Sequence, residues 1–170
     1  MLDYLLKQIY DEDMEFYAVS PKKFIILSIT TFGLFEFYWF YKNWQAIKRH
    51  NGSKISPFWR SVFIFFTCNQ LFKEILHSAK INGYAEKYSP GWITFFYIAL
   101  AILWRLPDPW WIISTFSFVP LLSVQRAINF NNSKVNPNYI KNNKFSGRVI
   151  MVIAIGGALL FLVLMGTVGL

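Results

Sequence analysis

Glu36, set among aromatic residues in GLFEFYWFYKNW (33–44), is the side chain here whose type and surroundings most invite chemistry. An ionised carboxylate within an apolar segment is normally paired, protonated or turned toward protein. Arg60 opens the next apolar run three residues after Pro57, and a loop of about sixteen residues can return it to the same depth. A buried Glu36–Arg60 ion pair, fixing one segment against the next, is therefore expected. The competing reading is a proton or ion relay through Glu36. It lacks a second membrane carboxylate to continue the path.

The cations come next. Lys42, Lys48, Arg49 and Lys54 follow the aromatic run, and Arg126, Lys134, Lys141, Lys144 and Arg148 ring an Asn-rich stretch containing Asn129, Asn131, Asn132, Asn136, Asn138, Asn142 and Asn143. Ammonium, guanidinium and amide groups all donate to phosphate oxygens, so anionic lipid headgroups are the expected ligand. The plainer alternative is a surplus of basic residues on one membrane face. Arg105 and Asp108 flank Pro107 in RLPDP, with Pro109 after them, and read as a hairpin turn carrying a local ion pair worth about 0 to 1 kcal/mol.

No residue set identifies a reaction. His50 and His77 are isolated, and the chain has no paired-cysteine or His-Glu-x-x-His metal signature, no Gly-x-Ser-x-Gly elbow and no glycine-rich phosphate loop. Catalytic residue, metal and cofactor are accordingly each read as none. Asp11–Glu12–Asp13 could take a divalent ion, but an acidic tail is the commoner explanation.

The elements that must position these groups follow from composition. Of 170 residues, 55% are hydrophobic, 20% aromatic and 15% charged, against about 25% charged in a soluble domain. The expected class is an all-α integral membrane protein, a small helical bundle of four to five membrane helices with one re-entrant or interfacial. The net charge of +8 sits in short loops between apolar segments, which favours lipid over nucleic acid. Residues 1–19 form an acidic amphipathic N-terminal segment, with a short helix over 2–10 and no signal-peptide pattern. Residues 20–170 form a single membrane domain. The lone Cys68 allows no internal disulfide.

The apolar segments are 24–41, 58–76, 91–104, 109–124 and 149–170. Only the last reaches the roughly 20 apolar residues of a full span. Its Gly156 and Gly157 offer a close approach to a second copy or a partner. The uncharged core of 58–76 covers 61–72, about 18 Å of helix, too short to cross. Pro120 is expected to kink the second arm of the 91–124 hairpin.

Basic residues discriminate among topologies. With five crossings and a cytoplasmic N-terminus, Lys and Arg divide 11 to 6; with 58–76 not crossing and the N-terminus outside, 13 of the 17 lie inside. The second arrangement is preferred. A third, with both early segments re-entrant, divides them 16 to 1 but buries two polar hairpins. NGSKISP (51–57) and NNSKVNP (131–137) also align at a shift of 80, either as a repeat or by chance.

GLFEFYWFYKNW, ISPFWRSVF (55–63), LWRLPDPWW (103–111) and PLLSVQRAIN (120–129) together resemble a family of uncharacterised small multi-pass proteins of the bacterial inner membrane. The likeness spans about residues 16–169. It implies a multi-pass location in that membrane and supplies no activity or catalytic residue. Where that pattern has Tyr, Pro and a nearby basic residue, this chain has Phe35, Ser123 and Phe130. The functional expectation is a non-enzymatic membrane module whose basic cytoplasmic loops bind anionic lipid headgroups or a protein partner. The alternative is a small transporter or channel subunit with a polar path near Glu36.

Overall fold

The computed structural model describes residues 14–136, 138–139 and 142–168; the helix expected over 2–10 and the headgroup ligand Lys141 lie outside them. The described chain folds as seven α-helices: α1 Pro21–Thr30, α2 Leu34–Asn51, α3 Pro57–Val62, α4 Ile64–Ile81, α5 Pro90–Ile102, α6 Phe118–Val135 and α7 Gly147–Val168. Short 3-10 segments, Leu103–Arg105 and Trp110–Ser117, extend α5 and lead into α6. Ser-Pro pairs open α1, α3 and α5, where proline loses no helical hydrogen bond and presets φ. At α1 the Ser20 hydroxyl also accepts from the Lys23 amide at 3.3 Å.

Both early apolar segments are broken. In 24–41 the chain turns at Thr31–Gly33, where Phe32 (φ 50°) and Gly33 (φ 83°) adopt left-handed backbone. The Thr31 hydroxyl spans the break, donating to the Leu27 carbonyl at 2.7 Å and accepting from the Phe35 amide at 2.9 Å. Segment 58–76 breaks at Phe63, and the Thr67 hydroxyl of α4 reaches back to the Arg60 carbonyl of α3 at 2.5 Å. Each segment is thus two helices, not one.

Pro120, expected to kink the second arm, lies three residues after that arm changes from 3-10 helix (Trp110–Ser117) to α-helix. The 3-10 segment joins α6 directly, which makes Trp110–Val135 the one described helix long and apolar enough to cross a membrane; the described apolar run of α7, Gly147–Val163, is shorter. The surest span read from sequence had been 149–170.

The core is built from helical stripes. On α4 Ile64, Cys68, Leu71, Phe72, Ile75 and Ala79 recur at three- and four-residue intervals and face Leu121, Val124 and Ile128 of α6 and Trp39, Phe40 and Trp44 of α2. Edge-to-face contacts of Phe24 with Phe35 and Trp39, centroids 5.5 and 5.7 Å apart, tie α1 to α2.

The repeat is not carried into the backbone. Residues 53–56 form a loop, whereas Asn131–Val135 complete α6.

Candidate functional site

Three polar constructions stand out, and the first is a clamp. The segment from Met14 to Val19 has no helical partners for its backbone, and asparagines supply them. Asn132 accepts from the Phe16 amide at 3.0 Å and donates to the Phe16 carbonyl at 2.7 Å. Asn131 donates to the Met14 carbonyl at 2.6 Å, Asn129 to the Val19 carbonyl at 3.1 Å, and Asn43 accepts from the Tyr17 amide at 3.1 Å. Ser78 and Asn82 at the end of α4 complete the set by donating to Asn131 at 3.0 and 2.9 Å. Buried backbone polar groups must be paired, and side-chain amides do here what a neighbouring strand would do. Asn129, Asn131 and Asn132 are therefore helical and internally committed. They are not the phosphate-binding loop expected from sequence.

The second construction is a basic cleft of about 830 Å³ between the N-terminal segment, α2, Tyr139 and Asn142. Lys42, Arg49 and His50 line it with Tyr17, Tyr38 and Asn142, and Glu15 is the one carboxylate among the described lining residues. The Lys42 ammonium lies 6.0 and 5.9 Å from the ring centres of Tyr17 and Tyr38, which orients its charge into the cleft. Burial and then the Tyr38 phenol push the Tyr17 phenol up to about 12, so it stays a neutral donor. Through Tyr17, Tyr38 and Asn142 the cleft runs into an apolar groove of about 910 Å³ between α1, α2 and α7. Leu27, Leu34, Phe35, Val149 and Val152 line the groove, with Lys144 and Arg148 beside it. Lys23, which sequence reasoning passed over, anchors this corner by donating to Asn142 Oδ1 and to the Lys144 carbonyl, both at 2.8 Å.

The nine expected headgroup ligands thus separate. Lys42 and Arg49 share the cleft and Lys144 and Arg148 the adjoining groove. Lys48 and Lys54 are exposed away from both. Arg126 and Lys134 belong to another face, where Lys134 lies over Phe130 at 5.7 Å and Arg126 acts on Tyr84. There burial and Glu86 raise the Tyr84 phenol to about 12 against the pull of Arg126.

The third construction surrounds Glu36, only 3% exposed in the first turn of α2. Its partners are hydroxyls: Ser117 Oγ lies 3.2 and 3.4 Å from its two oxygens, and the Tyr97 phenol is hydrogen-bonded to it. The expected ion pair with Arg60 does not form. The break at Phe63 turns Arg60 the other way, to donate to Gln70 at 2.9 Å and to lie 4.3 Å from the centre of the Trp44 ring. In the RLPDP turn Asp108 likewise accepts from the Trp111 indole at 2.6 Å instead of meeting Arg105, which lies over Trp104 at 5.7 Å. Pro107 keeps its turn role, its carbonyl accepting from the Trp110 amide at 2.9 Å, and Pro109 leads into the following 3-10 segment.

The glycine face of α7 is used within the chain. A Cβ on Gly156 would collide with the Thr30 carbonyl at the end of α1, so Gly156 serves helix approach inside this molecule; Gly157 faces open space. Neither a family model nor a curated protein nor a solved structure matches the chain.

Proposed function

We propose that the protein is a non-enzymatic module of the bacterial cytoplasmic membrane that holds an anionic lipid at its basic end. The observation that carries this reading is the continuity of the basic cleft with the apolar groove. A headgroup phosphate seated in the cleft accepts from Lys42, Arg49 and the neutral Tyr17 phenol, while an acyl chain lies along Leu34, Phe35 and Val152. Polar and apolar halves of one amphiphile are matched by polar and apolar halves of one surface.

A membrane seat is supported by what the fold leaves uncovered. Phe58, Trp59, Phe63 and Phe66 around the α3–α4 break, Trp92, Phe95 and Phe96 on α5, and Ile150, Met151, Ile155, Leu159 and Leu162 on α7 are all exposed. Apolar exposure on this scale far exceeds the few hundred Å² a water-soluble monomer tolerates, and lipid is the medium that makes it favourable.

Native mass spectrometry of the protein in mixed micelles of phosphatidylglycerol and phosphatidylcholine tests the lipid reading. The wild type retains phosphatidylglycerol preferentially, and Lys42→Gln with Arg49→Gln lowers its retained fraction about tenfold, the equivalent of about 1.4 kcal/mol. Equal retention by wild type and variant would overturn it. Both side chains are at least partly exposed, so the fold should survive their neutralisation.

A further inference from the structure

The chamber around Glu36 is unexplained by an anionic-lipid site, and its chemistry is opposite in sign. It is a cavity of about 320 Å³, within the lower range of small-ligand clefts. Neither Lys nor Arg lines it. Its walls carry the rings of Phe32, Phe37, Phe65, Tyr97 and Trp104, with Glu36, the Tyr97 phenol, Ser114 and Ser117 supplying the polar side-chain groups.

Once ionised, the Glu36 carboxylate can accept more hydrogen bonds than its two hydroxyl partners supply. An ionised carboxyl group offers about four lone-pair sites, and a hydroxyl brings one proton. Ser117, although within 3.4 Å of both oxygens, serves one of them at a time, and Tyr97 serves one more. The first turn of α2 adds roughly half a charge of opposite sign, which leaves the remainder uncompensated. A buried anion facing a ring-lined cavity is the arrangement that attracts a cation whose own surface is apolar. Aromatic faces hold alkylated ammonium ions through their quadrupoles, and a carboxylate supplies the counter-charge.

We propose that this chamber binds a small alkylated ammonium ion, with Glu36 as its counter-ion and the surrounding rings as its walls. A bare metal cation fits the site poorly, because one carboxylate and three hydroxyls, one of them already donating to a backbone carbonyl, cannot replace its hydration shell. An alkylated ammonium has little hydration to lose and makes contact with every ring it meets. The inference does not rest on the lipid reading: Glu36 and Lys42 line different cavities, and either site can be lost while the other remains.

Choline and its uncharged isostere 3,3-dimethylbutan-1-ol are the probes, titrated into the full chain in a maltoside detergent and followed by calorimetry and tryptophan fluorescence. Choline should bind and quench, with the isostere at least tenfold weaker. Glu36→Gln should weaken choline by at least tenfold and abolish the preference over the isostere. Phe65→Leu changes a ring that is 47% exposed and lies outside the core, so it reports on the wall even where Glu36→Gln folds poorly. It should weaken choline severalfold. Asp108→Asn, which alters a carboxylate outside the chamber, should leave binding unchanged. Replacing the detergent with phosphatidylcholine-containing micelles identifies the source: competition assigns the occupant to a lipid headgroup and its absence to a free solute, and both uphold ammonium recognition. Equal affinity for choline and its isostere, undiminished choline binding in both chamber variants, or no binding to the wild type overturns the proposal.

Discussion

At the level of single residues, Asn132 makes the sharpest case that side-chain amides organise this molecule. Removing its amide strands the amide and carbonyl of Phe16, two buried groups with Asn132 as their shared partner. Each unsatisfied group costs about 1 to 3 kcal/mol, so Asn132→Ala should lower stability by about 2 to 6 kcal/mol and release the N-terminal segment to protease. Asn138→Ala, at an exposed position, should stay within about 0.5 kcal/mol of wild type in the same thermal unfolding assay. Composition made the asparagines visible but not their targets, because phosphate and peptide groups are read by the same amide. A signal was nevertheless present: Gln125, Asn129 and Asn132 continue the three- and four-residue spacing of Leu121, Val124 and Ile128, which places them on the buried face of a helix. Glu36 shows the reverse failure. Its burial is legible from its aromatic neighbours, yet the loop length that favours Arg60 as its partner does not foresee the break at Phe63 that turns Arg60 toward Gln70. Since the two side chains have separate partners, the stability losses of Glu36→Leu and Arg60→Leu should simply add, to within about 0.5 kcal/mol, in a double-mutant cycle.

Among the elements, α7 depends on one position for its place against α1. The Thr30 carbonyl it meets at Gly156 belongs to the backbone and cannot swing aside. Gly156→Ala must therefore push the helices apart, at about 1 to 3 kcal/mol, even though alanine is the better helix former. Gly157→Ala meets nothing and should be neutral or stabilising by up to about 1 kcal/mol. Thermal unfolding of the two variants gives opposite signs if α7 docks as described, and matching shifts if the glycines merely tune helix propensity. Helix positions were largely readable from apolar runs and Ser-Pro starts. The breaks were not. At Thr31–Gly33 a β-branched residue and a phenylalanine precede the glycine, and neither announces a turn; the hydroxyl that bridges the gap is seen only once both helices exist. At Phe63 the sequence offers no glycine or proline at all, and the break is held by tertiary contacts of α3 and α4.

For the molecule as a whole, the hydrogen bonds bear on how the chain would sit in the membrane proposed above. The clamp places residues 14–19 beside Asn43, Asn82 and the end of α6, and Lys23 beside Lys144, so residues 14–19, the end of α6 and Lys144 share one end. Glu36, Ser117 and Trp104 mark the other end, fifteen residues or about 22 Å along the α6 direction from Asn132. That geometry disfavours an external N-terminus with internal loops. Within the proposed membrane seat it is compatible with the third topology above, in which both early segments enter and return. Burying two polar hairpins had counted against it. The objection weakens because Ser, Thr and Asn side chains at the breaks and the clamp satisfy the backbone groups that a broken helix exposes. Single cysteines at Glu15, Ser133 and Asp108, each exposed, introduced into a Cys68→Ala background and probed in intact spheroplasts with a membrane-impermeant maleimide, put this arrangement at risk. Positions 15 and 133 should react only after the membrane is permeabilised, while position 108 reacts from outside. Labelling of 15 together with 108 would mean that the N-terminal segment and α6 end on opposite sides, which the Asn132 clamp forbids.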